Sequence, residues 1–355
     1  MKVLLDFGNA GAMTGTGVYA RALLAGILHA GRDGIEVEEA GISSVGNRLR
    51  PVRRLLYLAR LERLRRMGYR DAEVVHFANV YAPRRRRGVA YVTTIHDLDA
   101  VLRPQFYTRR YSLYYGSTVA ASIERSHIIL TDTEAVRKEI IARYGILRDR
   151  VCVMGIGVNP QFAAAVEAAR PAHHDDPPML LYVGRLEAKK NTAWLINRVA
   201  HGVRTGALPH LRLVLAGGSS YGIEAIEQAL RDAGPIAEWV VSPGLQDLGA
   251  LYRRASCVVL PSHCEGFGIP LIEAMHCGKP IVASHIPTSV EVTGGSAHFF
   301  ALDDADGFYA AVRDALAGVD SLRHQAIMKE RLAHYAWPVL ARVATDVYTL
   351  ARHSR

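Results

Sequence analysis

Residues 257–284 read CVVLPSHCEGFGIPLIEAMHCGKPIVAS, and this stretch decides the fold. Its opening, "CVVLPS", is a short apolar run of the kind that forms a strand buried on both faces. "GFGIP" cannot be helix interior, because two glycines and a proline fall within five residues. Pro270 suits a first helical position, so a helix begins there. "PIVAS" at 280–284 is a second buried strand. Strand, loop, helix and strand in this order make one unit of a parallel sheet with helices on its faces.

The same alternation runs outward in both directions. Upstream lie a strand "MLLYVG" (179–184), a helix from about Thr192 to Gly206, a strand "LRLVLAGG" (211–218) and a helix near 222–233. A strand "EWVVSPG" (238–244) and a helix near 247–254 complete that series. An earlier series begins with "KVLLDFG" (2–8), a glycine-rich turn and a helix from Val18 to Ala30. It continues with strands "VVHFA" (74–78) and "VAYVTTIHD" (89–97), a helix at 118–126, a strand at 127–133, a helix at 134–145 and a strand at 150–155. Between the series, "AAAVEAARPAHHDDPP" (163–178) contains no strand and ends in a double proline, which marks a linker. The expected organisation is one doubly wound domain over 1–165, a linker at 166–178 and a second domain over 179–335. In such sheets ligands bind beyond the carboxyl ends of the strands, and with two sheets the cleft between them is the expected site.

Composition sets the class. The chain has 355 residues, half of them apolar, enough for two cores of ordinary domain size. Its four cysteines show neither scaffold density nor C-x-x-C spacing, which fits reduced thiols in a cytosol. No signal-like segment or membrane-spanning run is legible. The net charge of +9 is uneven: residues 1–170 carry 26 Lys+Arg against 16 Asp+Glu, and the remainder 17 against 18. Nine arginines interleave with leucines over 48–70, and "RRRR" occupies 84–87. This pattern fits a basic amphipathic helix on an anionic membrane, or a solvated helix whose Leu stripe packs on the core. No nucleic-acid recognition motif accompanies it.

Three motifs stand at strand ends. In "DFGNAGAMTGTGVYARALL", Gly8, Gly11, Gly15 and Gly17 separate a strand from a helix. Alone they fit a plain tight turn as well as a phosphate-facing loop. In "YVGRLEAKKN" (182–191), Arg185 and Lys190 follow a strand and can converge on one anion, a fork plus a point charge that suits a diphosphate. In "TTIHDL" (93–98), His96 ends a strand, where it can meet a substrate hydroxyl or a developing charge. Asp97 and Asp99 are too few for a dedicated cation cage, so no metal site is expected there.

The glutamates of the opening stretch complete the set. On one uninterrupted helix, Glu265 and Glu273 would lie about 12 Å apart. Carboxylate pairs that cleave glycosides stand about 5–9.5 Å apart. Glu265 falls on the strand-end loop and Glu273 in the first helical turn, with glycine amides between them. Two diol-gripping carboxylates flanking a phosphate-friendly turn fit a nucleotide sugar.

At this point the chain resembles the retaining glycosyltransferases of family 4, which have the GT-B fold. The likeness is strongest in "EGFGIPLIEA" (265–274), which looks like that family's Glu-x7-Glu signature. It extends to "GRLEAKKN", "GTGVYARAL", "IHDL", "TDTEAVRKEI" and "YAWPVLARVATDVY", in the family's order across both domains. The resemblance implies an α/β architecture of two Rossmann-like domains. The first would bind the acceptor, the second would bind the nucleotide sugar, and a C-terminal helix (336–355) would cross back to the first. It implies that Glu265 contacts the donor's sugar hydroxyls and Glu273 the ribose. Gly266, Phe267, Gly268 and Ile269 would hold sugar and phosphate, and Arg185 and Lys190 would neutralise the diphosphate. Gly15, Gly17, Gly184, Gly244 and Leu245 would complete the donor site, with His96 near the reacting sugar.

The implied reaction is metal-independent and cofactor-free, by a front-face route with retention. The expected donor is GDP-mannose, and the acceptor a glycan or lipid-linked glycan of the cell surface, handled at the inner face of the plasma membrane. The alternatives are a UDP-sugar donor, a GT-B epimerase or phosphorylase, or a basic membrane-binding module without catalysis. His263 and Cys264 depart from the small or aromatic residues expected there, and Ala188-Lys189 replaces a common Pro-Arg or Pro-Glu pair. These departures bear on donor preference rather than on chemistry.

Overall fold

A computed structural model describes residues 1–7, 15–30, 35–39, 72–169, 177–219 and 223–354. The chain divides into two compact units, Met1–Gly157 with Tyr335–Arg355, and Val158–His334. Gly8, Gly11, the arginine-rich stretch 48–70 and most of the expected linker (170–176) lie outside the described residues.

In the first unit the described strands are β1 (Lys2–Asp6), β2 (Glu36–Glu39), β3 (Val74–Phe77), β4 (Ala90–Thr94), β5 (Ile128–Thr131) and β6 (Val151–Val153). They form one parallel sheet in the order β2-β1-β3-β4-β5-β6. Every residue of β3, β4 and β5 is buried, as continuous apolar runs covered on both faces require. β2, "EVEE", is the exception: a short, charged strand on the sheet's edge. Such edges resist pairing with other chains, and the same polarity hides the strand from a reading based on apolar runs.

Ahead of residue 158 the described helices of this unit are α1 (Gly15–Ala30), α2 (Asp99–Leu102), α3 (Arg109–Arg125) and α4 (Glu134–Tyr144). Thr108 and Thr133 cap α3 and α4 by accepting from Tyr111 and Val136 backbone amides. α3 starts nine residues before the expected 118, because its first two turns are polar and aromatic and show no apolar stripe. Arg85 donates to the Glu124, Arg125 and Ser126 carbonyls at the end of α3. One cation of "RRRR" is therefore a helix C-terminal cap, favoured by the helix dipole.

The second unit opens with α5 (Pro160–Ala168), which is helical across part of the stretch read as linker. Its residues group with the second unit through packing on α8, where Gly249 lies against Ala165. The strands are β7 (Met179–Val183), β8 (Arg212–Gly217), β9 (Ala237–Val241), β10 (Cys257–Leu260), β11 (Ile281–Ser284) and β12 (His298–Phe300). The sheet is parallel, in the order β12-β11-β10-β7-β8-β9.

Its helices are α6 (Thr192–Thr205), α7 (Glu224–Ala233), α8 (Leu245–Arg254), α9 (Ile269–His276), α10 (Pro287–Thr293), α11 (Ala305–Ala317) and α12 (Ser321–His334). One core cluster joins β7, β8, β10, α6 and α11 through Leu180, Leu195, Leu213, Val259 and Phe308. The last helix, α13 (Trp337–His353), belongs to the first unit and packs on α1, with Trp337 seated against Gly26 and Gly157.

Both sheets are thus doubly wound, as the strand–helix alternation predicts. In the second, the chain leaves β7 towards β8 and β9, then returns to β10 on the other side of β7. β7 and β10 are adjacent strands whose following connections diverge, the arrangement that opens a crevice at their carboxyl ends.

Candidate functional site

The switch point of the second sheet brings two of the sequence motifs together. Gly184 directly follows β7, and the neighbouring β8 ends at Gly217. A Cβ on Gly217 would stand 2.1 Å from the Gly184 carbonyl oxygen, so the two strand ends approach as closely as glycine alone allows. The backbone continues as a paired ledge, with Leu186 N–H donating to Gly218 O at 2.8 Å. Arg185 is exposed, and its carbonyl accepts from the Tyr182 hydroxyl at 2.9 Å. A short 3-10 turn at Ala188–Lys190 then delivers Lys190.

β10 leads into the loop 261–268. The His263 amide donates to the Lys189 carbonyl at 2.9 Å, which joins this loop to the one after β7. Lys190 Nζ reaches both oxygens of Glu265 at 2.5 Å, and Ser262 Oγ donates to one of them at 2.7 Å. The Glu265 side chain is 7% exposed and that of Lys190 18%. Thr288 Oγ1 donates to the Glu265 carbonyl at 2.8 Å, and Ser284 Oγ to that of Ser262 at 2.6 Å. The glutamate's side chain is therefore held by Lys190 and Ser262 and its backbone by Thr288. Phe267 and Cys264 are buried beneath the loop, Gly266 is half-buried, and Gly268 (φ 85°) turns the chain into α9 at Ile269.

Glu273 lies on α9 and is buried. Its Oε2 accepts from the Tyr252 hydroxyl of α8 at 2.7 Å. Burial pushes its carboxyl up to about 7, against the opposing effect of the Tyr252 hydrogen bond. Gly244 and Leu245 start the same helix α8, at the carboxyl end of the edge strand β9. Leu245 is half-buried and Gly244 exposed.

The remaining predicted residues belong to the first unit, which has its own cluster at the carboxyl edge of its sheet. His96 follows β4, and Asp132 follows the adjacent β5. His96 Nδ1 and Asp132 Oδ2 are 2.7 Å apart. Tyr19 of α1 meets the imidazole edge-on, with ring centroids 4.9 Å apart. Behind them His76 Nε2 bonds Thr94 Oγ1 at 2.7 Å, and His76 Nδ1 bonds the Tyr348 hydroxyl of α13 at 2.8 Å. Burial, with the nearby His96, lowers His76 to about 3, so it stays neutral. Gly15 begins α1, and Gly17 is buried in its first turn.

Sequence reasoning missed Ser262, Tyr252 and Asp132. Asp132 follows a strand directly and Ser262 stands two residues beyond one, positions that could have flagged them. Tyr252 sits within a helix and gave no such signal. Among the described residues no three His, Cys, Asp or Glu side chains cluster as a metal ion would need. No helix there is long and apolar enough to cross a membrane.

Two parallel, doubly wound sheets, one with a cationic and carboxylate-lined switch point, define a GT-B glycosyltransferase. Residues 177–318 match the family "Glycosyl transferases group 1" and residues 21–162 match "Glycosyltransferase Family 4", and the chain belongs to these glycosyltransferases. Among its relatives is the O-antigen chain mannosyltransferase B of Escherichia coli, 26% identical over 292 residues, 79% of this chain and 75% of that protein. A D-inositol 3-phosphate glycosyltransferase of Xylanimonas cellulosilytica is 27% identical over 260 residues, 66% of this chain and 59% of the relative, short of two thirds of its length. The fold is similar to that of a sucrose-phosphate synthase from Thermosynechococcus elongatus, with a TM-score of 0.74, 20% identity and 98% of both chains covered.

Proposed function

We propose that this glycosyltransferase is a retaining, metal-independent hexosyltransferase of cell-surface polysaccharide synthesis. Its proposed reaction moves mannose from GDP-mannose to a glycan or lipid-linked glycan. The observation that supports this reading best is the convergence of Lys190 and Glu265 at the β7/β10 switch point, with Glu273 on the helix that follows. The donor identity leans on the O-antigen mannosyltransferase relative.

In this reading Arg185 and Lys190 meet the diphosphate, Glu265 accepts from sugar hydroxyls and Glu273 from the ribose. The bond from the anomeric carbon to phosphate breaks as the bond to the acceptor oxygen forms. The acceptor proton passes to the departing phosphate. Cations aimed at the diphosphate stabilise the charge that develops there. His96 is read as a partner for a hydroxyl of the transferred sugar. The start of α9, with the amides of Gly266, Phe267 and Gly268, suits phosphate or sugar oxygens.

Thermal-shift titration with GDP-mannose and with UDP-glucose, each with and without EDTA, tests the donor. Stabilisation by GDP-mannose that survives EDTA is expected. Stabilisation by UDP-glucose alone would move the reading to a UDP-sugar enzyme, and a strict divalent-metal requirement would overturn its metal-independent part. The anomeric configuration of the product, read by NMR, tests retention. A peripheral site at an anionic membrane is proposed for the basic stretches 48–70 and 84–87. Equal flotation on anionic liposomes after their arginines are replaced would exclude it.

A further inference from the structure

We infer that Asp132 is a positioning residue for His96: it holds the imidazole through Nδ1 and leaves Nε2 as the atom offered to a substrate hydroxyl. This rests on the proposed place of His96 in the site, and it gives a role to a residue of the "TDTEAVRKEI" stretch to which neither the motifs nor the family likeness assigns one.

Four observations carry it. Asp132 is 3% exposed, and one of its oxygens lies 2.7 Å from His96 Nδ1. A buried carboxylate is costly unless it is paired, and among the described residues His96 is the cationic partner it has. The ring is fixed from a second side by Tyr19, whose hydroxyl is 3.4 Å from Thr94 Oγ1. Thr94 is in turn held by His76, which Tyr348 anchors to α13. The buried polar chain thus backs the aromatic wall of the imidazole with elements from α1, β3, β4 and α13.

The third observation is what the chain leaves open. Among the described residues, His96 Nε2 and Asp132 Oδ1 are both buried and have no partner in hydrogen-bond geometry, although the Ala78 carbonyl faces the imidazole. Two such polar atoms on one bonded pair call for a partner that the described groups do not supply. A pairing that served only to stabilise the sheet edge would have no use for an open Nε2. The fourth is placement: both residues lie directly beyond the carboxyl ends of adjacent parallel strands, where doubly wound sheets present ligand-binding groups.

The groups that face the imidazole are Asp132 beyond β5, Asp97 next in the chain, the Ala78 carbonyl beyond β3, Tyr19 of α1 and the neutral His76 of β3. Burial disfavours the imidazolium. Asp132, through charge and hydrogen bond, then Asp97 and the Ala78 carbonyl, outweigh that and raise the pKa of His96. With the carboxylate ionised, Nδ1 carries a proton and points at Asp132. Nε2 is then a donor in the cation and an acceptor in the neutral ring.

The test uses the full chain with 15N-labelled histidine, following His96 by NMR across pH 5–9 and assigning it by His96→Gln. The expected result is a ring protonated at Nδ1, with a titration that moves to lower pH in Asp132→Asn. An unchanged tautomer and titration in Asp132→Asn would overturn the proposal. In parallel, nucleoside diphosphate release from GDP-mannose and UDP-glucose is measured. Asp132→Asn should lose at least about tenfold in kcat with a smaller change in KM, as expected for a misplaced contact group. Asp132→Glu should recover part of it, and Asp132→Asn should cost nothing further in a His96→Gln background. Full activity in Asp132→Asn, with His96→Gln inactive, would also overturn it. Full activity in His96→Gln would instead remove His96 from the site while the NMR result still decides what holds the ring. Should Asp132→Asn fail to fold, Asp132→Glu carries the same NMR comparison.

Discussion

Lys190 Nζ contacts both carboxylate oxygens of Glu265 at 2.5 Å, across 75 residues of chain and two adjacent strand ends. The proposed donor site is thus neutralised from within. In the proposed reaction the same lysine meets a diphosphate and the same glutamate meets sugar hydroxyls, so donor binding must loosen or share this pair. Replacing Lys190 by Ala leaves a carboxylate that is 7% exposed without its cation. Loss of one partner from a buried pair costs about 3–5 kcal/mol, and urea unfolding should read a loss near the lower end, since Ser262 still supports Glu265. The double variant Lys190→Ala/Glu265→Ala should regain part of that stability and none of the transfer activity.

Glu273 sets a pH dependence whose sign follows from burial. Its ordinary value near 4.5 rises to about 7 in the folded protein. Below both values the carboxyl is neutral in either state and contributes nothing. As pH climbs between them the unfolded chain ionises first, so folding stability falls, by about 3 kcal/mol once pH exceeds 7. Glu273→Gln should abolish that decline, and urea unfolding at pH 5 and pH 8 in wild type and variant checks it. Nucleotide binding should run the other way in wild type, strengthening through pH 7 as the carboxylate becomes available to ribose hydroxyls.

Tyr252 is the counterweight to that burial. Its hydroxyl bonds Glu273 at 2.7 Å and favours the ionised form. In Tyr252→Phe the carboxyl should titrate higher still, moving the pH midpoint of nucleotide binding upward. The lost bond should cost about 1–3 kcal/mol of stability. Isothermal titration at several pH values distinguishes the midpoint shift from a uniform loss of affinity.

Gly217 and Gly318 both have positive φ, 151° and 72°, yet they should respond differently to alanine. At Gly318 no atom lies within 4 Å of a new Cβ, so the cost is the left-handed backbone alone, about 1–2 kcal/mol. At Gly217 the new Cβ would also meet the Gly184 carbonyl oxygen at 2.1 Å. That contact forces the β7 and β8 ends apart and shifts the loop that delivers Arg185 and Lys190. Scanning calorimetry should show a modest fall in Tm for Gly318→Ala and a much larger one for Gly217→Ala. Nucleotide binding should survive the first change and fail in the second.

The elements most legible in the sequence were the fully buried strands. β3, β4, β5, β10 and β11 are buried along their whole length and are short, mostly apolar or β-branched runs, with polar residues such as His76, Thr93 and Thr94 among them. β2 escaped because an edge strand needs no apolar faces, and the first turns of α3 escaped because Arg109, Arg110 and Tyr111 are exposed. The stretch 163–168 reads with the linker, since its alanines give no strong pattern. Its helix is established by Asn159 capping and by packing on α8.

By itself the sequence determined the two strand–helix series, the helix start within one residue of the observed Ile269, and the placement of Arg185, Lys190, Glu265 and His96 at strand ends. These follow from local rules of periodicity, proline geometry and chain direction. Tertiary structure decided which of those residues meet. Sheet order makes β10 the neighbour of β7, so Lys190 finds Glu265, and β5 the neighbour of β4, so Asp132 finds His96. Strand order comes from the packing of whole layers, a long-range balance that no window of sequence encodes. The same holds for Glu273, whose carboxyl is raised by burial and bonded by Tyr252 of another helix, a partner that its own helical stretch does not announce.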